Sequence, residues 1–304
     1  MAVLHADASG WWIMLIGALV SSACSLIGCF LVLRRLSMLG DAISHAVLPG
    51  IVIAFLWSGS RDILPMLLGA GALGLLTAFM TDVLNRQGKL QTDAAIGVTF
   101  TWLFAIGVIL LSKFASNVDI DLDCVLYGEI LYAPFDTVLW GESDLGPRAV
   151  WVLAGVTLAN AIFVVLGWKQ LKVCAFDPGL AQSIGINVAL WHYLLMGFTS
   201  ISTVASFESV GAILVVAMLT VPANTAYLLT ERLSHMIFIA IGVGIASSVG
   251  GYGLATVLDG SIAGAMATVS GLFFVMAALF SPRHGVVAGF IRRRRELTLE
   301  DAQS

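Results

Sequence analysis

Long apolar stretches, separated by short polar segments, recur along nearly the whole chain. A helix needs about 20 predominantly apolar residues to cross a bilayer, and nine of the stretches meet that length. We place the nine spans at residues 10–33, 37–58, 63–85, 93–112, 148–168, 186–205, 209–231, 235–258 and 262–281. The pattern predicts an all-α, polytopic helical membrane protein with one transmembrane domain over residues 1–304.

Composition agrees with this pattern and narrows the class of partners. Hydrophobic residues make up 59% of the chain and charged residues 11%, against about 25% charged residues in soluble domains. The net charge of −4 is divided between two sides of a bilayer and therefore says nothing about nucleic acid. For a polytopic membrane protein we expect no nucleic-acid partner. None of the four cysteines forms a CxxC pair, and we expect Cys24 and Cys29 to be packing residues.

The positive charges predict the orientation of the spans. With the N-terminus outside, twelve of the fifteen lysines and arginines fall on the inner side: Arg34, Arg35, Arg86, Lys89, Lys169, Lys172, Arg232, Arg283 and Arg292 to Arg295. The opposite orientation would reverse this bias. The N-terminal MAVLHADASG lacks a basic stretch and a cleavage site, so we expect no signal peptide. The basic tail, about 283–304, is expected in the cytoplasm, where its arginines would contact anionic headgroups or act as a stop-transfer anchor.

The longer outer connection, about 113–147, mixes acidic residues with an apolar core, VLYGEILY. That core is too short to span a bilayer, which favours a re-entrant or interfacial helix. The acidic residues either attract cations toward the outer mouth or belong to an ordinary solvated loop. They are Asp119, Asp121, Asp123, Glu129 and Asp136.

The longer inner connection, about 169–186, predicts a short cytoplasmic helix. Asp177 has the chemistry of an N-cap, Pro178 suits the first helical position, and Gly185 suits the end of the helix. Such a helix, about 176–185, could contact a soluble partner or serve as an ordinary capped connector.

The start of the second span carries two ionisable side chains one helical turn apart. Asp41 and His45 are four residues apart, which places them on one helix face. Ionisable side chains inside a membrane-length helix are costly and commonly serve a site. Pro49 has no N–H, so the carbonyl of His45 loses its helical hydrogen-bond partner. In a bilayer, such a carbonyl is tolerated beside a cavity, water, an ion or other protein.

The chemistry of this pair suits manganese, iron(II) or zinc better than copper(I), which prefers sulfur. Two ligands do not enclose an ion, but a two-fold dimer would bring two aspartates and two histidines together. The alternative is structural: Asp41 caps the helix and His45 is hydrogen-bonded in a packed interface. Asp41 lies about five residues into its span, within roughly 8 Å of the inner end, whereas a gating site is expected deeper.

Other polar residues lie in or beside the later spans. Glu208 is expected at the outer end of a span, as part of a gate or as an interfacial carboxylate. Pro222 is predicted to kink its helix and to free the carbonyl of Met218. Three further histidines fall near the ends of spans and are interpreted as interfacial: His192, His235 and His284.

Three segments resemble the permease subunits of ABC importers for zinc, manganese and iron. They are RRLSMLGDAISHAVLPGIVIAF, FDPGLAQSIGI and ESVGAILVVAMLTVPANTAYLLTERL, and the match runs along nearly the whole chain. The resemblance implies the cobalamin-importer type of ABC permease in the bacterial cytoplasmic membrane. It also implies a second permease copy (identical or paralogous), two ATPase subunits and an extracytoplasmic metal-binding protein.

The resemblance also assigns roles to residues. Asp41 and His45 match the ion-coordinating Asp and His of the family's G-D-A-[IL]-S-H motif. The family's F-D-P segment, which starts a coupling helix that docks on the ATPase, matches Phe176, Asp177 and Pro178. The resemblance therefore assigns ATPase coupling to these residues and two later ones: Phe176, Asp177, Pro178, Ala181 and Gly185. The stretch DLDCVLYGEI is most like the manganese- and iron-type members, which favours manganese.

The chain is therefore expected to be a transport subunit with no catalysis and no permanently bound cofactor. It has no phosphate-binding G-x-x-x-x-G-K-[ST] motif, since Gly88 and Lys89 are followed by Leu90. ATP hydrolysis would then occur on a separate subunit. The alternative is a self-sufficient secondary carrier, for which interruptions at Pro49 and Pro222 are the only indication. An intramembrane metalloenzyme would need a denser ligand set such as H-E-x-x-H.

Overall fold

Helices make up most of the structure, a computed structural model that describes residues 8–58, 63–114, 130–140 and 143–281. In these ranges the helices are α1 (Ala8–Leu33), α2 (Ser37–Ala46), α3 (Leu48–Ser58), α4 (Ile63–Arg86), α5 (Thr92–Phe114), α6 (Arg148–Leu166), α7 (Trp168–Phe176), α8 (Pro178–Ser183), α9 (Val188–Val210), α10 (Ala212–Leu229), α11 (Leu233–Leu258) and α12 (Ile262–Phe280).

The predicted spans agree with the observed helices. Among the described residues, nine helical segments are long and apolar enough to cross a membrane. Their ends lie within a few residues of the predicted ones; the fifth, for example, runs over Arg148–Leu166 where we predicted 148–168. The prediction of an all-α membrane protein with about nine spans is confirmed.

The second span is broken near its middle. It divides into α2 and α3 at Val47, two residues before Pro49. The Val47 N–H still donates to the carbonyl of Ile43, whereas the N–H groups of Gly50 and Ile51 both turn to the carbonyl of Val47, at 2.9 and 3.1 Å. Because Pro49 has no N–H to donate, the backbone hydrogen-bond ladder of α2 does not continue unbroken into α3.

Two features of the long connections were not predicted. The helix α7 nearly continues α6 into the inner connection, so that only α8 is the short isolated helix. In the outer connection, a 3₁₀ turn over Ala133–Phe135 leads into an antiparallel hairpin of β1 (Thr137–Trp140) and β2 (Ser143–Pro147). Most of VLYGEILY and four of the five acidic residues lie outside the described residues, as does the basic tail.

Close packing of small residues holds the centre of the bundle together. A side chain at Gly28 of α1 would collide with the backbone carbonyl of Leu219 in α10, and one at Gly244 of α11 with Ser21 of α1. Such small-residue contacts let membrane helices approach closely. Cys24 and Cys29 are fully buried in this core, as expected for packing residues.

The two ends of the bundle are distinguished by their connections. The coupling end, as we name it, contains α7, α8, the end of α4 and the α10–α11 connection. The hairpin end contains β1, β2, the start of α6 and the end of α9. One cavity at the coupling end is lined by Phe176 and the α10–α11 connection, and one at the hairpin end by residues of α6 and α9 together with Asp136.

Candidate metal site

The first candidate site is formed by the pair Asp41 and His45 in α2, just before the helix break. The Nε2 atom of His45 lies 3.5 Å from Oδ1 of Asp41. Two ligand atoms each about 2.1 Å from a metal lie ~3.0 to 3.4 Å apart at octahedral or tetrahedral angles. The structure thus brings the two predicted ligands together at close to the separation that one ion requires.

The pair lies at the middle depth of the bundle. The imidazole of His45 contacts Phe100 and Phe104 of α5, with ring centroids 6.0 and 6.1 Å apart. These are the ninth and thirteenth of the 23 residues of α5. The helix α2 begins at the predicted residue, but it begins inside the bundle. The Asp41–His45 pair therefore lies deeper than its short distance from the start of the span suggested.

Each side chain of the pair is about one-third exposed in the isolated chain, at 38% for Asp41 and 33% for His45. The predicted structural alternative required Asp41 to cap the helix, but the N-cap position of α2 is Leu36, which makes no side-chain cap bond. Asp41 instead lies in the first half of the helix. Its carboxylate therefore does not cap the helix, and it lies against the imidazole of His45.

One chain supplies only part of a coordination shell. Among the described residues, no three His, Cys, Asp or Glu side chains are close enough to hold a metal together. The Oγ atom of Ser44 is committed to the carbonyl of Asp41, at 2.6 Å. An ion bound by this pair would need further ligands, such as backbone carbonyls, water or groups of a second chain.

A glycine of α5 allows the residue after the helix break to pack closely against that helix. A Cβ atom at Gly107 of α5 would lie 2.7 Å from Cδ and 2.9 Å from the nitrogen of Pro49. Gly97, on the same helix, has no such neighbour within 4 Å. Gly107 therefore lets the proline that follows the break pack directly on α5.

We expect Gly107→Ala to reduce metal binding by Asp41 and His45 and to lower the melting temperature of the detergent-solubilised protein, because overpacking costs about 1 to 3 kcal/mol. Gly97→Ala is the matched control and should leave both unchanged or slightly raise the melting temperature. Equal behaviour of the two variants would show that the contact with Pro49 does not position the site.

The coupling end contains the second predicted element, a short helix with both ends satisfied. Oδ1 of Asp177 accepts a hydrogen bond from the N–H of Leu180 at 2.9 Å, and Pro178 is the first helical residue. At the other end, the N–H groups of Gly185 and Ile186 donate to Gln182 and Ala181, which is a Schellman motif. Gly185 has a φ of +83° and follows the cap residue rather than forming it.

The surface of this helix is apolar and accessible. Phe176, Leu180 and Ile184 are each more than half exposed, whereas Ala181 is fully buried against the bundle. Leu180 and the cap residue Ile184 are four residues apart and lie on one side of α8, whereas Phe176 ends α7 before the extended residue Asp177. Exposed apolar side chains in this arrangement suit contact with another protein.

The sequence analysis did not predict a polar cluster that lies at the coupling end. Oδ2 of Asp82 in α4 lies 3.6 Å from Nε2 of His192 and accepts a hydrogen bond from Tyr193 at 3.3 Å, both in α9. Arg86 lies one turn after Asp82, at 3.8 Å. A lone aspartate within a predicted span was the available signal, but its partner is 110 residues away. His192 is thus part of a cluster rather than simply interfacial.

Pro222 lies within α10, which runs from Ala212 to Leu229 without the interruption seen before Pro49. Polar side chains near it bond backward to the helix: Asn224 to the carbonyl of Thr220 and Thr225 to that of Val221. The predicted kink stays a prediction. Glu208 lies in the last turn of α9 and lines a cavity at the hairpin end.

A family model described as the ABC 3 transport family matches residues 11–281 of the chain. The manganese transport system membrane protein MntD of Bacillus subtilis is 51% identical over 281 residues, which cover 92% of this chain and 95% of that protein. The zinc transport system membrane protein TroD of Treponema pallidum is 42% identical over 275 residues, covering 90% of this chain and 75% of that protein.

Two solved structures match the fold of this chain. PsaBC from Streptococcus pneumoniae, solved in complex with Fab, matches with a TM-score of 0.77 and 31% identity over 92% of this chain and 95% of that chain. A metal-chelate type ABC transporter in an inward-facing conformation matches with a TM-score of 0.62 over 91% of each chain. At 15% identity, this second likeness concerns the fold alone.

Proposed function

The chain belongs to the ABC 3 transport family, and on that premise we propose that it is the membrane permease subunit of an ATP-driven importer of divalent transition metals, with manganese as its main cargo. The observation that carries the proposal is the Asp41–His45 pair beside a broken helix at the middle of the bundle. Broken helices in transporters commonly form ion sites. A relative named for zinc makes zinc the second candidate, and iron(II) shares the same ligand preference.

The partial exposure of the pair supports a second permease copy. A carboxylate facing lipid at mid-depth would be costly, so another protein surface must cover it. A two-fold related copy, identical or paralogous, would supply a second Asp41–His45 pair and complete four ligands. Metal analysis of the purified complex should then give one manganese ion for every two permease chains, and one ion per chain would refute the shared site.

The proposed transport requires further subunits that hydrolyse ATP and deliver the metal ion. Since the chain has no phosphate-binding motif, ATP would be hydrolysed by cytoplasmic ATPase subunits that dock on the exposed side of α8. An extracytoplasmic binding protein would deliver the metal to the hairpin end. In this assignment the permease carries no catalytic residue and no resident cofactor.

The coupling end would face the cytoplasm of a bacterial inner membrane, with the N-terminus outside and the C-terminus inside. The distribution of positive charges supports this orientation. In a background in which Cys124 of the outer connection is replaced by serine, a membrane-impermeant thiol reagent should label Ser183→Cys only in opened cells and Tyr132→Cys also in intact cells. The reverse result would invert the topology.

The function is tested by cellular metal content. Host cells without their own manganese and zinc importers should accumulate manganese when they express the permease with its ATPase and binding protein, as measured by mass spectrometry. Omission of the ATPase should remove the gain. Accumulation that persists without the ATPase would instead support a secondary carrier, and accumulation of zinc or iron alone would reassign the cargo.

A further inference from the structure

We propose that the cavity at the coupling end is a docking site for this chain's own C-terminal segment, whose apolar residues 286–291 would fill it. Those residues lie outside the described ranges, so the inference concerns where they bind. It goes beyond the proposed function and does not depend on it, because the docking involves no metal ion and no ATPase.

The cavity is mainly apolar and has room for a large side chain. Five of its lining residues are aliphatic or aromatic and come from four helices: Leu33, Phe176, Tyr227, Leu233 and Met236. Its volume is about 270 Å³, against ~30 Å³ for a water molecule. In the part of the chain that the structure describes, Phe176 is 58% and Tyr227 is 50% exposed. An apolar segment would therefore cover two aromatic side chains by binding here.

The described chain stops beside this cavity at a fixed point. Ser281, the residue after α12, is buried, with 1% of its surface exposed. Its Oγ donates to the carbonyl of Leu228 at 2.6 Å, and its N–H donates to that of Ala277 at 2.8 Å. Leu228 directly follows Tyr227, which lines the cavity. The C-terminal segment therefore leaves the bundle one residue from the cavity wall.

The segment is long enough to turn back into the cavity. Ser281 has an extended backbone, with a ψ of 130°, which the following Pro282 favours, so the chain leaves the axis of α12. An extended chain spans at most about 3.6 Å per residue, so Val286 can lie up to ~18 Å from Ser281 and Phe290 up to ~32 Å. Consecutive Cα atoms such as those of Tyr227 and Leu228 are ~3.8 Å apart, so the segment reaches the cavity with chain to spare.

The composition of the segment suits this occupant. Residues 286–291 read VVAGFI, and four arginines follow directly. Six apolar residues are far fewer than the about 20 that cross a bilayer, so they must be covered in another way. Among the described residues that line the cavity, Glu231 is the only charged one, but the exposed Arg232 follows it. Apolar contact rather than charge would therefore hold the segment.

The docked segment would lie next to the surface proposed for the ATPase. It would cover Phe176 at the end of α7, whereas Leu180 and Ile184 of the α8 region do not line the cavity. The segment and an ATPase on α8 would thus occupy adjoining surfaces of the coupling end rather than the same one.

The test is disulfide cross-linking in the purified full-length permease, reconstituted in lipid nanodiscs. Cys124 is replaced by serine, and the other three cysteines are buried. Thr230→Cys in the cavity is combined with Ala288→Cys in the segment. The matched control combines Ala288→Cys with Ser183→Cys, which is exposed at the same end but does not line the cavity. After mild oxidation, mass spectrometry should show at least about 5-fold more disulfide with Thr230→Cys, because a docked segment has a higher local concentration there than a free tether.

A substitution in the segment identifies the apolar contact. Phe290→Asp should lower the yield of the Thr230→Cys pair to that of the control pair, because a carboxylate is costly in an apolar cavity. Leu297→Asp makes the same change beyond the four arginines and should leave the yield unchanged.

Three results would overturn the proposal. Equal yields with Thr230→Cys and Ser183→Cys would show a segment that is not docked. A disulfide between two chains, seen as a dimer band on a denaturing gel, would assign the cavity to the segment of another copy. A high yield only in nanodiscs of anionic lipid would show that headgroups hold the segment. Since no metal or ATP is present, a permease that fails to import manganese leaves this result unaffected.

Discussion

Replacing Asp41 with alanine is expected to lower manganese uptake at least about 100-fold while the permease still assembles with its partners. The carboxylate is the only negative charge in the candidate pair, and an imidazole alone cannot balance a divalent ion in a low-dielectric bundle. His45→Ala should have a similar effect. The measurement is the initial rate of radioactive manganese uptake, with co-purification of the ATPase as the check on assembly.

Two matched controls separate the pair from other residues of the same type. His235→Ala removes an exposed histidine at the start of α11, and Asp259→Asn neutralises an exposed aspartate after that helix. Both variants should take up manganese at the normal rate. If Asp41→Ala also does so, the pair is structural, and the transport pathway must use other residues.

Replacing Leu180 with aspartate is expected to abolish uptake by a different route. Leu180 is an exposed apolar residue of α8, and a charge there should weaken docking of an ATPase on this helix. Stimulation of ATP hydrolysis by the metal-loaded binding protein should be lost, while manganese binding to the purified permease stays normal.

The same substitution at the other end of the bundle provides the control. Leu258→Asp also places an aspartate at an exposed apolar position but at the far end of α11, and it should leave ATPase coupling intact. Asp177→Ala should give a milder loss than Leu180→Asp, because losing an N-cap costs about 1 kcal/mol of helix stability. Unchanged coupling in Leu180→Asp would exclude α8 as the docking element.

Local chemistry explains why some elements were predictable from the sequence. The spans follow from apolar length alone, and α8 follows from residues within ten positions of one another: Asp177 caps it, Pro178 begins it and Gly185 ends its motif. The juxtaposition of Asp41 and His45 likewise needs only helical spacing. These features depend on neighbours in the chain, so a single sequence contains them.

Features that depend on distant residues were not predictable. The mid-depth position of His45 follows from its contact with Phe100 and Phe104 in another helix. The cluster of Asp82 with His192 joins α4 to α9, and the cavity at the hairpin end joins three separate segments. Hydrophobic periodicity fixes where helices are but not which faces meet, and those contacts decide where an ionisable group lies.

A helix of six residues that is held by caps at both ends is stiff. Only residues 184–187 separate α8 from α9, and Oδ1 of Asn187 accepts from the N–H of Leu190 at 3.0 Å, so the next helix also begins at a fixed point. In the proposed function, a force that an ATPase applied to α8 would therefore pass to α9 through a short, capped connection. The Asp82 cluster lies about one turn further along α9 and joins it to α4, so weakening that cluster would be expected to reduce the movement passed on to α4.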